Sequence, residues 1–260
     1  MKPETKQYTA MVGGRPVVIE TGKLAAQAGG SVTVQLGDSV VFAAATMSRD
    51  AKPGQDFFPL TVEYEERMYA GGRIPGSFFR KEGRPTEEAI LTARLTDRPL
   101  RPLFSKDIRN EVQVIMFSLS ADGENPLDIL AINAASAAIM ISDIPWGGPV
   151  GAVRIGMVDG EFIINPTFEQ IEKGNLDLRL AGTRDAILMV ECASNEIDEA
   201  KMVEALTLGH QSILPIIEAQ EKMAAEIGKA KREVTLYPID AALVAELEPR
   251  LAPAMNAALD

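Results

Sequence analysis

The chain has 260 residues, 46% of them hydrophobic, enough for one large domain, or one domain and part of another, with a substantial core. Its 26 Lys and Arg against 37 Asp and Glu leave a net charge of −11, which excludes indiscriminate binding of polyanions over the whole surface. The single cysteine, Cys192, excludes an internal disulfide and a Cys-based zinc site. The opening MKPETKQ lacks an apolar signal core and an Arg-rich amphipathic pattern. The most apolar run, Ile129 to Ile141, is too short to span a bilayer and holds Asn133 and Ser136. A soluble cytoplasmic protein with no membrane partner is the expectation.

Tyr8 to Glu20 reads as a hairpin about Gly13-Gly14, and Ser31 to Thr46 as a second about Gly37-Asp38, where a primed turn fits. Phe57 to Glu65 alternates apolar and polar residues and carries a third strand signal.

The stretch from Arg73 to Arg101 follows, and it is the local exception to an acidic chain. It holds seven cations (Arg73, Arg80, Lys81, Arg84, Arg94, Arg98, Arg101) against four acids. Phe78 and Phe79 directly precede Arg80-Lys81, and Pro75, Gly76, Gly83 and Pro85 bracket the quartet, which marks a loop. Two readings of the loop stand. The rings are core residues beside a solvated charged face, in line with the usual burial of Phe. Or they are exposed, and bases of single-stranded nucleic acid stack on them while phosphates pair with the cations. Beyond the loop, Thr86 is an N-cap with Glu87 and Glu88 in the first turn of a helix. That helix is expected to stop near Asp97, because Pro99 disfavours α geometry at Arg98. Within it Arg94 and Arg98 share a face, which reads equally as a solvated stripe.

Glu111 to Ser120 reads as a strand, and Pro126 to Ser142 as a helix with Pro at its first position. The body of that helix, LDILAINAASAAIMIS, is so apolar and small that it must be buried. Gly151 to Asn165 and Leu176 to Ala193 read as hairpins, and Ile197 to Arg232 as a long helix kinked or broken at Pro215. From Pro238 the chain is Ala-rich and helical but carries Pro249 and Pro253. The sum is an α+β fold, a mixed sheet with packed helices.

Catalytic signatures are sparse. His210, the one histidine, has no Ser or Cys nucleophile motif beside it and reads as structural. Glu169, Glu172 and Asp177 are near one another in sequence, yet in an acidic chain they read as solvated acids rather than a magnesium site. Asp122 and Asp128 flank a turn before a helix N-terminus, where an anion could dock, but with Glu124 they repel phosphate.

The run FFRKEGRPTEEAILTARLTDRPLRPLF, with FFPLTVEYEERMYAGGRIPG before it and LDILAINAASAAIMISDIPWGGPVGAVRIG after it, resembles the N-terminal core domain of the bacterial polynucleotide phosphorylase family. The likeness runs from about residue 8 to residue 230. It implies a ribonuclease-PH-like core with ribosomal-protein-type βαβ elements over residues 1–235, and the beginning of an all-helical linker over residues 236–260. It implies a phosphorolytic exoribonuclease that shortens single-stranded RNA from the 3′ end in mRNA turnover. Inorganic phosphate is the co-substrate, Mg2+ is held outside this stretch, and nucleoside diphosphates are released. The family assembles as a homotrimeric ring, with an RNA helicase or endoribonuclease as a further partner. By the same resemblance Phe78 and Phe79 line the aperture through which RNA enters, Arg80, Lys81 and Arg84 extend that loop, and Arg94, Arg98 and Arg101 face the RNA path.

Two departures point to a silent catalytic pocket. ADGENPLD follows Ser120 where active forms of the fold carry a phosphate-holding motif, and an amide, Asn175, stands near the place of a metal-holding aspartate. No catalytic residue is therefore expected in this stretch. The alternative reading is a non-enzymatic, ring-forming RNA-capture subunit.

Overall fold

Gly and Asp at the hairpin turns set the frame. In the computed structural model, which describes residues 4–76 and 78–259, β1 (Lys6–Val12) and β2 (Arg15–Thr21) are joined by Gly13 and Gly14, both at positive φ, as a type I′ turn requires. β3 (Gly30–Leu36) and β4 (Ser39–Met47) form the second hairpin, with Gly37 at positive φ. β5 is shorter than its sequence signal, Leu60–Glu65. It leads through α1 (Glu87–Leu100) to β6 (Val112–Ser120), which pairs with it in parallel, giving one βαβ unit. The first sheet runs β1-β2-β3-β4-β6-β5.

Pro99 does not end α1 where expected. Thr86 caps the helix by accepting the Ala89 N–H, but the helix continues through Pro99 to Leu100. Leu95, Thr96, Pro99 and Leu100 are all buried, and that burial outweighs the strain at Arg98 and the lost donor to the Leu95 carbonyl.

α2 (Asp128–Ile141) starts two residues later than its Pro suggests. Every residue from Ile129 to Ile139 is buried. The helix packs on β3 and β4 on one side and on β7 (Gly151–Val158) on the other. Contact with β3 is so close that a Cβ on Gly30 would lie 2.1 Å from the Ala138 carbonyl oxygen. β7 turns through Asp159-Gly160, both at positive φ, into β8 (Glu161–Ile164). A short helix that the sequence reading missed follows, α3 (Phe168–Lys173), opened by a Thr167/Gln170 capping box. β9 (Leu176–Gly182) and β10 (Ile187–Ser194) complete a second, antiparallel sheet ordered β10-β9-β7-β8.

α4 (Glu199–Ile227) is capped by Asp198 and passes unbroken through Pro215, because Ile213, Ile216 and Ile217 are buried around it. It packs on β1, β7 and β9. Its Gln220 reaches the interior, where Ser136 donates to Gln220 Oε1 at 2.6 Å and accepts the Val150 N–H at 2.9 Å. Gln220 Nε2 in turn donates to the Val150 carbonyl at 2.8 Å.

The segment after α4 fastens down the end of α2. Lys231 Nζ donates to the carbonyls of Ile139, Met140 and Ser142 at 2.9–3.0 Å. Lys229 reaches the carbonyls of Ala28 and Gly29, and Arg232 pairs with Asp143. α5 (Ala241–Leu259) follows with no buried residue and with Pro249 and Pro253 inside it. No described helix is long and apolar enough to cross a membrane.

Candidate nucleic-acid interface

The Phe78-Phe79 pair lies outside the core, as the flanking Gly and Pro suggest. Phe78 is 93% and Phe79 76% exposed, and the rings meet edge to face with centroids 5.4 Å apart. Arg80, at positive φ, donates to the Pro75 carbonyl at 3.4 Å and so closes the loop on itself. Glu82 accepts the Met68 N–H at 3.1 Å, tying the loop to the 3-10 turn Met68–Gly71. Thr86, the N-cap of α1, donates to Glu66, just after β5, at 2.7 Å and so ties the loop's two ends together. Arg80, Lys81 and Arg84 are exposed on it.

The structure separates the three helix arginines. Arg94 and Arg98 line a cleft of about 530 Å³, walled by α1, the segment after β6 and Phe168 of α3. Arg98 pairs with Glu191 at 3.0 Å, whereas Arg94 has no hydrogen bond or ion pair among the described residues. Arg101 does not line the cleft. It makes a two-pronged pair with Asp97 at 2.8 and 2.6 Å and donates to the Leu60 carbonyl.

The cleft floor holds a group that the sequence reading missed. Arg154, 7% exposed, binds Asp177 through Nε at 2.6 Å and Nη2 at 2.7 Å, and approaches Asp128 at 3.4 Å. Arg179 binds the same Asp128 at 2.8 Å and Asp177 at 3.4 Å. Two cations and two acids thus neutralise each other. Burial would push the Asp177 carboxyl up, but the hydrogen bond and charge of Arg154, with Arg179 beside it, hold it below the ordinary range. On the wall, burial and the nearby Glu66 and Asp128 push the Tyr64 phenol well up, so it stays protonated. Strand alternation carried the signal for this group: Asp177 and Arg179 alternate with buried leucines in LDLRLAG, and Arg154 interrupts an apolar strand.

Two of the other acids are spent locally. Asp122 accepts the N–H groups of Glu124 and Asn125 and the Asn125 amide, and Glu169 pairs with Lys173. Asn175 is engaged through its backbone, donating to Met157 and accepting from Asn195. His210 Nε2 lies 3.1 Å from the Thr183 carbonyl. Among the described residues no three His, Cys, Asp or Glu side chains come together in a way that could hold a metal ion. Asp128, which lines the cleft, and Asp177 are committed to arginines and do not fit a divalent ion.

The family model described as the 3′ exoribonuclease family, domain 1, matches residues 13–145, and its domain 2 matches residues 148–212. The chain belongs to this 3′ exoribonuclease family. It is 54% identical over 233 residues to the polyribonucleotide nucleotidyltransferase of Heliobacterium modesticaldum, and 55% identical over 229 residues to that of Thermus thermophilus. These alignments cover 90% and 88% of this chain but 33% and 32% of the relatives, so the chain spans about a third of their length. The fold is that of rice Rrp46, with a TM-score of 0.64 at 15% identity over 86% of this chain and 96% of that one. The resemblance read from the FFRKEGRP region is borne out by these relatives.

Proposed function

We propose that this chain is the N-terminal ribonuclease-PH-like core of a polyribonucleotide nucleotidyltransferase, and that it guides RNA rather than cleaves it. In the complete polypeptide, inorganic phosphate attacks the 3′-terminal phosphodiester. The product is a nucleoside diphosphate, and an RNA one residue shorter keeps its new 3′ hydroxyl. Mg2+ supplies charge neutralisation for that step from a site outside these residues. Phe78 and Phe79 stack on bases at the aperture of a homotrimeric ring, and Arg80, Lys81 and Arg84 meet the phosphates. Arg94 and Arg98 continue the path, and Arg101 joins it by leaving Asp97.

The observation that carries this reading is the pair of exposed phenyl rings on a cationic loop, in an otherwise acidic chain. The self-neutralised group at the cleft supports the division of labour, since Asp128 and Asp177 are both held by arginines. Residues 1–235 form the core and residues 236–260 open a helical linker, a division supported by the absence of any buried residue in α5.

Two measurements test the proposal. Purified residues 1–260, given oligoadenylate and phosphate, should release no ADP; release would overturn the guiding role. In the full-length protein, Phe78→Ala with Phe79→Ala should weaken oligoadenylate binding by about 1–3 kcal/mol per stacked base lost. Unchanged affinity would remove the rings from the RNA path.

A further inference from the structure

The rings are not the only exposed apolar side chains in this part of the chain. Met68, Tyr69, Ile74, Phe78 and Phe79 are all exposed within twelve residues of sequence, a concentration of apolar surface that marks an interaction site. Between residues 67 and 84 the chain holds five cations and one acid, so the surface is also locally basic. Tyr69 is 56% exposed and its hydroxyl makes no hydrogen bond among the described residues.

Tyr69 sits on a braced backbone. The Arg67 N–H donates to Ser118 Oγ at 2.9 Å, and the Ala121 N–H donates to the Ala70 carbonyl at 3.0 Å. Gly72, in the left-handed region, closes the turn by donating to the Tyr69 carbonyl at 3.0 Å, and the Arg73 N–H donates to that of Met68. The turn is bonded on one side to the ring loop, through Glu82 and the Met68 N–H. On the other it is bonded to Ala121, a residue of the cleft wall. The turn that carries exposed Tyr69 is therefore fastened both to the ring loop and to the cleft wall.

We infer that Tyr69 is a further stacking residue for single-stranded RNA, set between the ring loop and the cleft, with Arg73 beside it for a phosphate. A preformed aromatic on a rigid turn loses little conformational freedom on binding, so its contact is retained in affinity. The inference rests on the RNA-guiding reading above, and its test separates the two.

The test uses the full-length protein and fluorescein-labelled oligoadenylate, read by anisotropy. Tyr69→Ala should weaken binding about five-fold or more, Tyr69→Leu similarly, and Tyr69→Trp should bind as well as the parent, because any flat ring serves. The Phe78→Ala, Phe79→Ala variant is measured beside them. Parent-like affinity in Tyr69→Ala, with weakened binding in the phenylalanine variant, overturns the inference and leaves the aperture reading intact. Weakened binding in Tyr69→Ala alone supports the inference and takes RNA away from the rings. Equal losses in Tyr69→Trp and Tyr69→Ala, or a change of oligomer mass in Tyr69→Ala, overturn the inference in favour of a protein contact.

Discussion

Arg154 and Asp177 form a two-pronged ion pair, 2.6 and 2.7 Å, between neighbouring strands on the cleft floor. Arg154 is only 7% exposed, so removing Asp177 leaves a buried charge with only the longer 3.4 Å contact to Asp128. Asp177→Ala should therefore cost about 3–5 kcal/mol, the usual penalty for breaking a buried pair from one side. Urea unfolding of the 260-residue protein measures it, and an unchanged midpoint would contradict the account.

Acid should weaken the fold through carboxylates held below their ordinary range. Burial pushes Asp122 up, but the hydrogen bonds from Asn125, Glu124 and Ser39 outweigh it and hold the group at about 2, against an ordinary 3.8. Such a depressed group contributes stability above pH 3.8 that disappears as the pH falls through about 2. Asp177 acts in the same direction. Asp122→Asn should make the fall in urea midpoint between pH 4 and pH 2 shallower than in the parent. An identical slope would mean that Asp122 is not linked to folding.

Ser136 joins α2 to α4 and to Val150, just before β7. Ser136→Ala leaves the Gln220 Oε1 and the Val150 N–H buried without their partner, at about 1–3 kcal/mol for each group. Thermal unfolding should show a lowered Tm; a shift no larger than that of an exposed Ser→Ala control would show that the interior can rearrange around the loss.

The helix arginines should differ in their effect on salt dependence. Arg94 has no partner among the described residues, whereas Arg101 is held by Asp97 and the Leu60 carbonyl. In the full-length protein, Arg94→Ala should reduce the slope of log affinity for oligoadenylate against log salt by about 0.7, the single-strand value for one phosphate. Arg101→Ala should change it less. Equal slopes for both variants would place Arg101 on the RNA path with Arg94.

Much of the fold was legible because its signals are local. Each hairpin follows from a Gly or Asp turn between alternating strands, and α2 from an apolar run that could only be buried. The two proline errors share one cause. Pro99 and Pro215 read as breaks because a local rule was applied where Leu100 and Ile213, both buried, decide the outcome through tertiary packing. The exposure of Phe78 and Phe79 was readable from their glycine and proline flanks. The ion group of Arg154, Asp128, Asp177 and Arg179 was not, since its members are up to 51 residues apart and meet only when β7, β9 and α2 assemble. The separation of Arg101 from Arg94 and Arg98 likewise depends on Leu60, a residue of a distant strand.

Lys231 grips three carbonyls at the end of α2, and its neighbours reach Gly29 and Asp143. During synthesis these bonds cannot form until the chain has emerged past Arg232. A nascent chain ending at Ile227 would hold both sheets yet leave the tail of its central helix open to water. That helix end is thus stitched down by the thread that leads out of the core.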